Sequence, residues 1–240
     1  MATHSMNPYG LALLDYFHGD VAACLDVLRD DGLEFKLPVS TFFKDPEQFT
    51  LIEKTALALC SGNVLDIGAG AGSHSLYLQH AGVNLRALEI SPEAVEVMKQ
   101  RGVFNVECGD IFEFGGKSFD TLLLLPHGIG LVGSIDGLQR FLHHALHLTN
   151  EQGIILFDSL DVRCTDDPVH LAYHRRNMAM NRYFGEIMMS FAYKGIQGEQ
   201  FSWLQIDPET LEHHSNKLGW HCEILHQEAW GDYLVKLTKF

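Results

Sequence analysis

Basic residues are scarce in this chain of 240. Lys and Arg total 17 against 31 Asp and Glu, a formal net charge of −14 with histidine neutral. A field of that sign repels phosphate backbones and anionic lipid, so neither nucleic acid nor a membrane surface is an expected partner. Cysteine is scarce too. Cys24, Cys60, Cys108, Cys164 and Cys222 are odd in number, scattered, and form no C-x-x-C pair. That argues against a disulfide framework or a cysteine-held zinc and fits a reducing compartment. Long apolar runs are missing: stretches such as 122–125 are far too short to span a bilayer. The first residues, Met1-Ala2-Thr3-His4-Ser5-Met6, lack the basic region and apolar stretch of a secretion signal, so a cytoplasmic location is expected. No internal repeat or low-complexity segment interrupts the chain.

What is present is an ordinary globular composition. Hydrophobic residues make up 46% and charged residues 20%, which excludes a disordered or collagen-like chain. From about residue 62, short apolar runs alternate with helical patterns. Strands are expected at 63–67, 84–90, 104–108, 119–125 and 154–160. Residues 73–81 read as a helix that Gly82 stops. Ser91-Pro92-Glu93 opens another, with a capping hydroxyl, a proline suited to the first turn and an acid at the positive helix end. Gly102 closes it. Leu138, Phe141, Leu142, Ala145 and Leu146 recur at helical spacing. The run at 119–125 has no polar alternation, as expected of a strand buried on both faces. Such strand–helix alternation argues for a parallel sheet with helices on both faces.

After Asp161 the pattern changes. Residues 168–181 read as a polar helix or loop. Runs 183–193 and 200–206 read as strands of an added β-hairpin, inserted at about 182–206. Asp207-Pro208-Glu209 opens a helix that Gly219 ends, and 220–226 and 233–237 are the last two strands. Residues 1–60 read as mainly helical, broken around Leu37-Pro38-Val39. They are expected to cover the 61–240 unit as part of the same domain.

The stretch that carries chemistry is Val64-Leu65-Asp66-Ile67-Gly68-Ala69-Gly70-Ala71-Gly72. A buried strand ends, and glycines let the backbone turn sharply and a ligand approach without meeting a Cβ. The next helix offers unpaired N–H groups. The spacing is G-x-G-x-G, with Ser73 where a dinucleotide fingerprint needs its third glycine. No G-K-[ST] follows, which excludes a P-loop. Glu89 closes the second strand, where an acid can accept from both hydroxyls of a ribose. Asp110 follows the third, where a carboxylate can accept from an exocyclic amine. All three acids fall at the carboxyl edge of one parallel sheet, where open α/β folds bind ligands.

Taken in order, the D-x-G-x-G-x-G loop, Glu89-Ile90-Ser91-Pro92, Gly109-Asp110-Ile111 and Phe119-Asp120 before 122–125 resemble the motifs of class I S-adenosylmethionine-dependent methyltransferases. The resemblance covers roughly residues 60–162. It implies a Rossmann-like methyltransferase fold: a central, mostly parallel seven-stranded sheet with helices on both faces, an N-terminal helical cover and an added hairpin after the fifth strand. It further implies that Asp66 and the backbone of Gly68, Ala69, Gly70 and Gly72 hold the methionine part of S-adenosylmethionine. Glu89 would hold the ribose, Ile90 would lie beside the adenine, and Asp110 and Ile111 would meet its edge. Leu125, Pro126 and His127 would sit by the methyl group.

His127 has a near-neutral pKa suited to a proton acceptor; shaping the loop with Gly128, Gly130 and Gly133 is the equal alternative. Other methyltransferases of nucleobase or protein amides carry an Asn-Pro-Pro-Tyr-type motif here, and Leu-Pro-His-Gly argues against that branch. His143, His144 and His147 are expected on a solvated helix face, with His213 and His214 explained in the same way. Asp158 and Asp161 would be metal ligands in the catechol-type members of the family, but loop or capping roles are favoured and no metal is expected. Tyr16, Phe17, Phe42 and Phe43 read as packing residues before lid residues. Arg182, Tyr183 and Glu186 begin the hairpin. The expected activity is in-line methyl transfer to a small molecule, leaving S-adenosylhomocysteine. Binding without turnover is one alternative. An aminopropyltransferase-like enzyme is another, but it needs an acidic pair after the fourth strand that Leu125-Pro126-His127-Gly128 does not supply.

Overall fold

The computed structural model describes residues 5–116 and 118–240. Helix α1 (Asn7–Phe17) leads into a hairpin of β1 (Cys24–Arg29) and β2 (Glu34–Pro38), then helix α2 (Leu51–Leu59). The alternating part follows as β3 (Asn63–Ile67), α3 (Ser73–His80), β4 (Asn84–Glu89), α4 (Pro92–Gln100), β5 (Val106–Cys108), β6 (Phe119–Leu124), α5 (Ile135–Leu148) and β7 (Thr149–Leu160). The chain ends with α6 (Pro168–Ala179), β8 (Glu186–Tyr193), β9 (Ile196–Gln197), β10 (Phe201–Leu204), α7 (Pro208–Lys217), β11 (Trp220–Gln227) and β12 (Asp232–Lys239). Helix starts are fixed by the expected chemistry. The Ser91 hydroxyl accepts from the Ala94 N–H at the head of α4, with Pro92 in the first turn. Thr50 and Glu53 form a reciprocal capping box on α2. Among the described residues, no helix is long and apolar enough to cross a membrane.

The central sheet has seven strands in the order β11-β12-β7-β6-β3-β4-β5. The pairs β3–β4, β3–β6, β4–β5 and β6–β7 are parallel, while β12 runs antiparallel to both β7 and β11. Alternate residues feed two cores. Leu65, Leu122, Leu124, Phe157 and Val235 pack on one face with Phe141 of α5. Val64, Leu123, Leu156 and Leu234 pack on the other with Ile52 and Ala56 of α2. Both faces are therefore covered, and the β3–β4 and β3–β6 boundary lies at the centre of the sheet.

Residues 1–60 differ from the helical expectation. Among the described residues, α1 and α2 are helical, but 24–38 is a hairpin. Leu25, Val27 and Arg29 are buried and alternate with the half-exposed Cys24, Asp26 and Leu28, a period of two. Asp30-Asp31-Gly32 supplies the turn, with Gly32 at φ 91°. The break at Leu37-Pro38-Val39 is where β2 ends. The added hairpin is present, with β8 and β10 antiparallel. Its other edge is not free: β8 also pairs with β1, giving a second sheet in the order β10-β8-β1-β2, with β9 beside β8. Some bounds shift as well. Strand β5 starts at Val106 and β8 at Glu186, while β7 begins at Thr149, directly after α5.

Candidate active site

Strand β3 ends at Ile67, and the next turn uses glycine for its backbone. Gly68, Gly70 and Gly72 have φ of 71°, 59° and 83°, where a side chain is strained. The turn is tied to the end of β4. The Gly68 N–H donates to the Leu88 carbonyl at 2.8 Å, and the Gly70 N–H donates to Glu89 Oε2 at 2.9 Å. Glu89 Oε1 accepts from the Ser91 N–H at 3.0 Å. Burial pushes the Glu89 carboxyl up, and these backbone donors oppose the rise. Each oxygen keeps a second lone pair for another donor. From α1, Tyr9 lies over the turn: a Cβ on Gly70 would come within 2.9 Å of its hydroxyl. Burial, then the charge of Glu89, pushes the Tyr9 hydroxyl well above its ordinary value, so it stays a donor.

These groups open on a cavity of about 590 Å³ at the carboxyl edge of the sheet. Gly68, Ala69, Gly70, Glu89, Ile90, Asp110, Ile111, Leu125, Pro126 and His127 all line it. Asp110 also accepts from the Phe112 N–H at 2.9 Å, so it caps its turn while facing the cavity. Asp66 and Gly72, expected beside them, sit behind the wall instead. Asp66 is fully buried and accepts from the Ser75 hydroxyl at 2.6 Å, which ties β3 to α3; its Oδ1 has no partner. Burial pushes this carboxyl up, and His74 and Ser75 oppose it. Gly72 packs on α4, where a Cβ would meet Met98 at 2.9 Å.

The far wall comes from one face of the second sheet. Val27 stands opposite Phe35 across β1–β2 and opposite Phe191 across β1–β8, and Met189 stands opposite Phe201. Residues directly opposite share a face, and all five line the cavity. Trp203 adds an indole so close to the loop after β6 that a Cβ on Gly130 would come within 2.0 Å of it. Phe42 also lines the cavity. Tyr16, Phe17 and Phe43 instead pack in the cluster around α1, as expected.

A charged cluster closes one side. Lys44 Nζ lies 3.0 Å from both Glu53 oxygens, His74 Nε2 lies 2.9 Å from Oε1, and the Thr50 N–H donates to Oε2 at 2.7 Å. Beside it is a second cavity of about 210 Å³, which shares Thr41, Lys44, Glu53, Pro126 and His127 with the first. His127 adopts a left-handed φ of 50° and donates its N–H to Asp158 Oδ1 at 2.6 Å. Its Nε2 lies 3.5 Å from Asp232 Oδ1. Asp161 is ion-paired with Arg163 at 2.7 Å. His143 and His147 are exposed, while His144 Nε2 lies 2.9 Å from the Phe114 carbonyl. Among the described residues, no three His, Cys, Asp or Glu side chains converge to hold a metal ion. Tyr9, Lys44, Glu53, His74, Trp203 and Asp232 are site residues that motif reading alone does not reach.

Residues 65–157 match the family described as a methyltransferase domain. A solved S-adenosylmethionine-dependent methyltransferase from Bacteroides fragilis, in complex with S-adenosyl-L-homocysteine, is 35% identical. The match covers 98% of this chain and 96% of that one, with a TM-score of 0.86. The CcbJ methyltransferase from Streptomyces caelestis shares the fold at 13% identity, over 82% of this chain and 92% of that one, with a TM-score of 0.60. An amino pentose methyltransferase from Micromonospora echinaspora, involved in calicheamicin biosynthesis, shares it at 14%, over 79% and 89%, with a TM-score of 0.52. No curated protein matches the chain.

Proposed function

The chain belongs to the class I S-adenosylmethionine-dependent methyltransferases, and from that premise we propose that it methylates a small molecule by in-line displacement. The observation that carries this reading is one cavity faced by the glycine turn, Glu89, Asp110 and an apolar sheet face. The donors and acceptors fit the cofactor. Gly68, Ala69 and Gly70 line the cavity and suit the methionine part, with Asp66 and Gly72 bracing the turn from behind. Glu89 keeps lone pairs for the ribose hydroxyls. Ile90 and Ile111 flank a flat slot for adenine, and Asp110 accepts from its amine. Tyr9 closes the turn from the N-terminal segment, so residues 1–60 complete the same unit as 61–240.

The bound cofactor supplies a methyl group made electrophilic by a positive sulfur. The chain's own contribution is position. Leu125 and Pro126 would flank the methyl, and Phe35, Val27 and Phe191 give the acceptor side an apolar wall. Holding two reactants in line supplies effective molarities of about 10⁵ M or more. His127 accepts the acceptor's proton where one is lost. The test is a crystal structure grown with S-adenosylhomocysteine. The reading expects the ribose hydroxyls on Glu89 and the adenine between Ile90 and Ile111. The product lodged elsewhere, or absent at millimolar concentration, overturns it.

A further inference from the structure

The contacts proposed for the cofactor do not account for the charges around the 210 Å³ cavity, which are one-sided. Asp158, Glu228 and Asp232 all line it. None of the three pairs with a lysine or arginine among the described residues; their ionisable neighbours are His127 and His226. Lys44 also lines it, but Glu53 already holds that ammonium with both oxygens. An acidic cluster alone says little, and here the bonding adds to it. Asp158 is only 4% exposed and lines the cavity, and among the described residues the one hydrogen bond to its carboxylate is the His127 N–H to Oδ1. Asp232 Oδ1 is buried and, among the described residues, makes no hydrogen bond; its nearest ionisable neighbour is His127 Nε2 at 3.5 Å. Buried carboxylate oxygens without donors are costly unless a ligand supplies the missing donors. The Trp230 indole, 63% exposed, lines the same cavity and donates to Asp232 Oδ2 at 2.7 Å.

We propose that this cavity seats a basic nitrogen, so that the acceptor is an amine on an apolar body and the protein is an N-methyltransferase. This rests on the methyltransferase reading above. The apolar body lies against Phe191 and Phe201 in the large cavity, and the nitrogen reaches past Pro126 and His127, which both cavities share. A carboxylate or phosphate acceptor would face three carboxylates. An alcohol would offer one neutral donor where an ammonium offers several charge-assisted ones.

The amine arrives as an ammonium and is held by Asp158 and Asp232. His127 Nδ1 is enclosed, so the open imidazole edge carries Nε2, which takes the proton. Asp232, 3.5 Å away, stabilises the imidazolium. The freed nitrogen lone pair then forms the N–C bond as the methyl C–S bond breaks, its electron pair returning to sulfur. The products are a methylated ammonium, S-adenosylhomocysteine without its sulfonium charge, and protonated His127.

The test titrates benzylamine, benzyl alcohol and benzoate into protein saturated with S-adenosylhomocysteine, read by calorimetry. Benzylamine is expected to bind about tenfold or more tightly than either analogue. Asp232→Asn and, separately, the turn substitution Glu228→Gln are expected to weaken benzylamine about fivefold or more while leaving S-adenosylhomocysteine affinity unchanged. Equal affinity for the alcohol, no benzylamine binding, or unaltered benzylamine affinity in folded variants overturns the proposal. Failure of S-adenosylhomocysteine to bind the parent protein is a separate result and overturns the methyltransferase reading instead.

Discussion

Glu53 and Asp158 face the same small cavity and are almost equally hidden, at 1% and 4% exposed, yet they sit at opposite ends of the carboxylate range. Burial raises both. At Glu53, hydrogen bonds from His74, the Thr50 N–H and Lys44 overcome it and pull the carboxyl down from 4.5 to about 2. At Asp158, burial wins over His127 and lifts the carboxyl from 3.8 to about 6. Donors outweigh desolvation at Glu53, and desolvation outweighs the donor at Asp158. A fully bonded carboxylate is a strut; one short of donors is poised for a ligand.

The sharpest way to break this comparison is to remove the strut. Glu53→Gln leaves Lys44 and His74 without their anion and is expected to cost about 3 kcal/mol of unfolding free energy, read by urea titration at neutral pH. Because the folded pKa is depressed, Glu53's contribution is present above about 4.5 and fades as pH falls toward 2. A loss below 0.5 kcal/mol (~0.5 is the usual scatter for surface changes) would make the cluster ornamental. The opposite sign is expected on the other side. Asp158→Asn should stabilise the free protein, on the order of 2 kcal/mol at pH 7.5. The parent's raised pKa is a penalty fully present above about 6 and absent below 3.8, so the gain should vanish in acid. Thermal melts at pH 7.5 and 4 measure it; a destabilised variant at pH 7.5 would contradict the contrast.

The wall proposed for the cofactor is legible in the sequence because its parts are local. Gly68 and Gly70 follow a strand, and Glu89 and Asp110 stand at the ends of the next two, so their shared cavity follows from one strand–loop step each. Asp66 differs from Ile67 by one position of strand alternation: Ile67 faces the cavity, while Asp66 turns back to Ser75. The acceptor half was not legible. Its wall depends on the register that sets Val27 between Phe35 and Phe191, from segments more than 150 residues apart by chain position. Its charges, at 44, 53, 158, 228 and 232, share no motif. The β1–β2 hairpin escaped notice for a related reason. Short runs such as 24–29 declare a period of two only weakly, and half of that evidence is the partner strand β8, far along the chain.

Everything on the acceptor side presupposes that the cavity behind Glu89 holds the cofactor. Calorimetric titration of S-adenosylhomocysteine into the protein and into Glu89→Gln tests this most directly. The account predicts one site per chain and about tenfold or greater weakening in the variant, since an amide N–H₂ must face a backbone N–H or the ribose where the carboxylate accepted. No heat from the parent at millimolar ligand, or identical affinity in a folded variant, would contradict it.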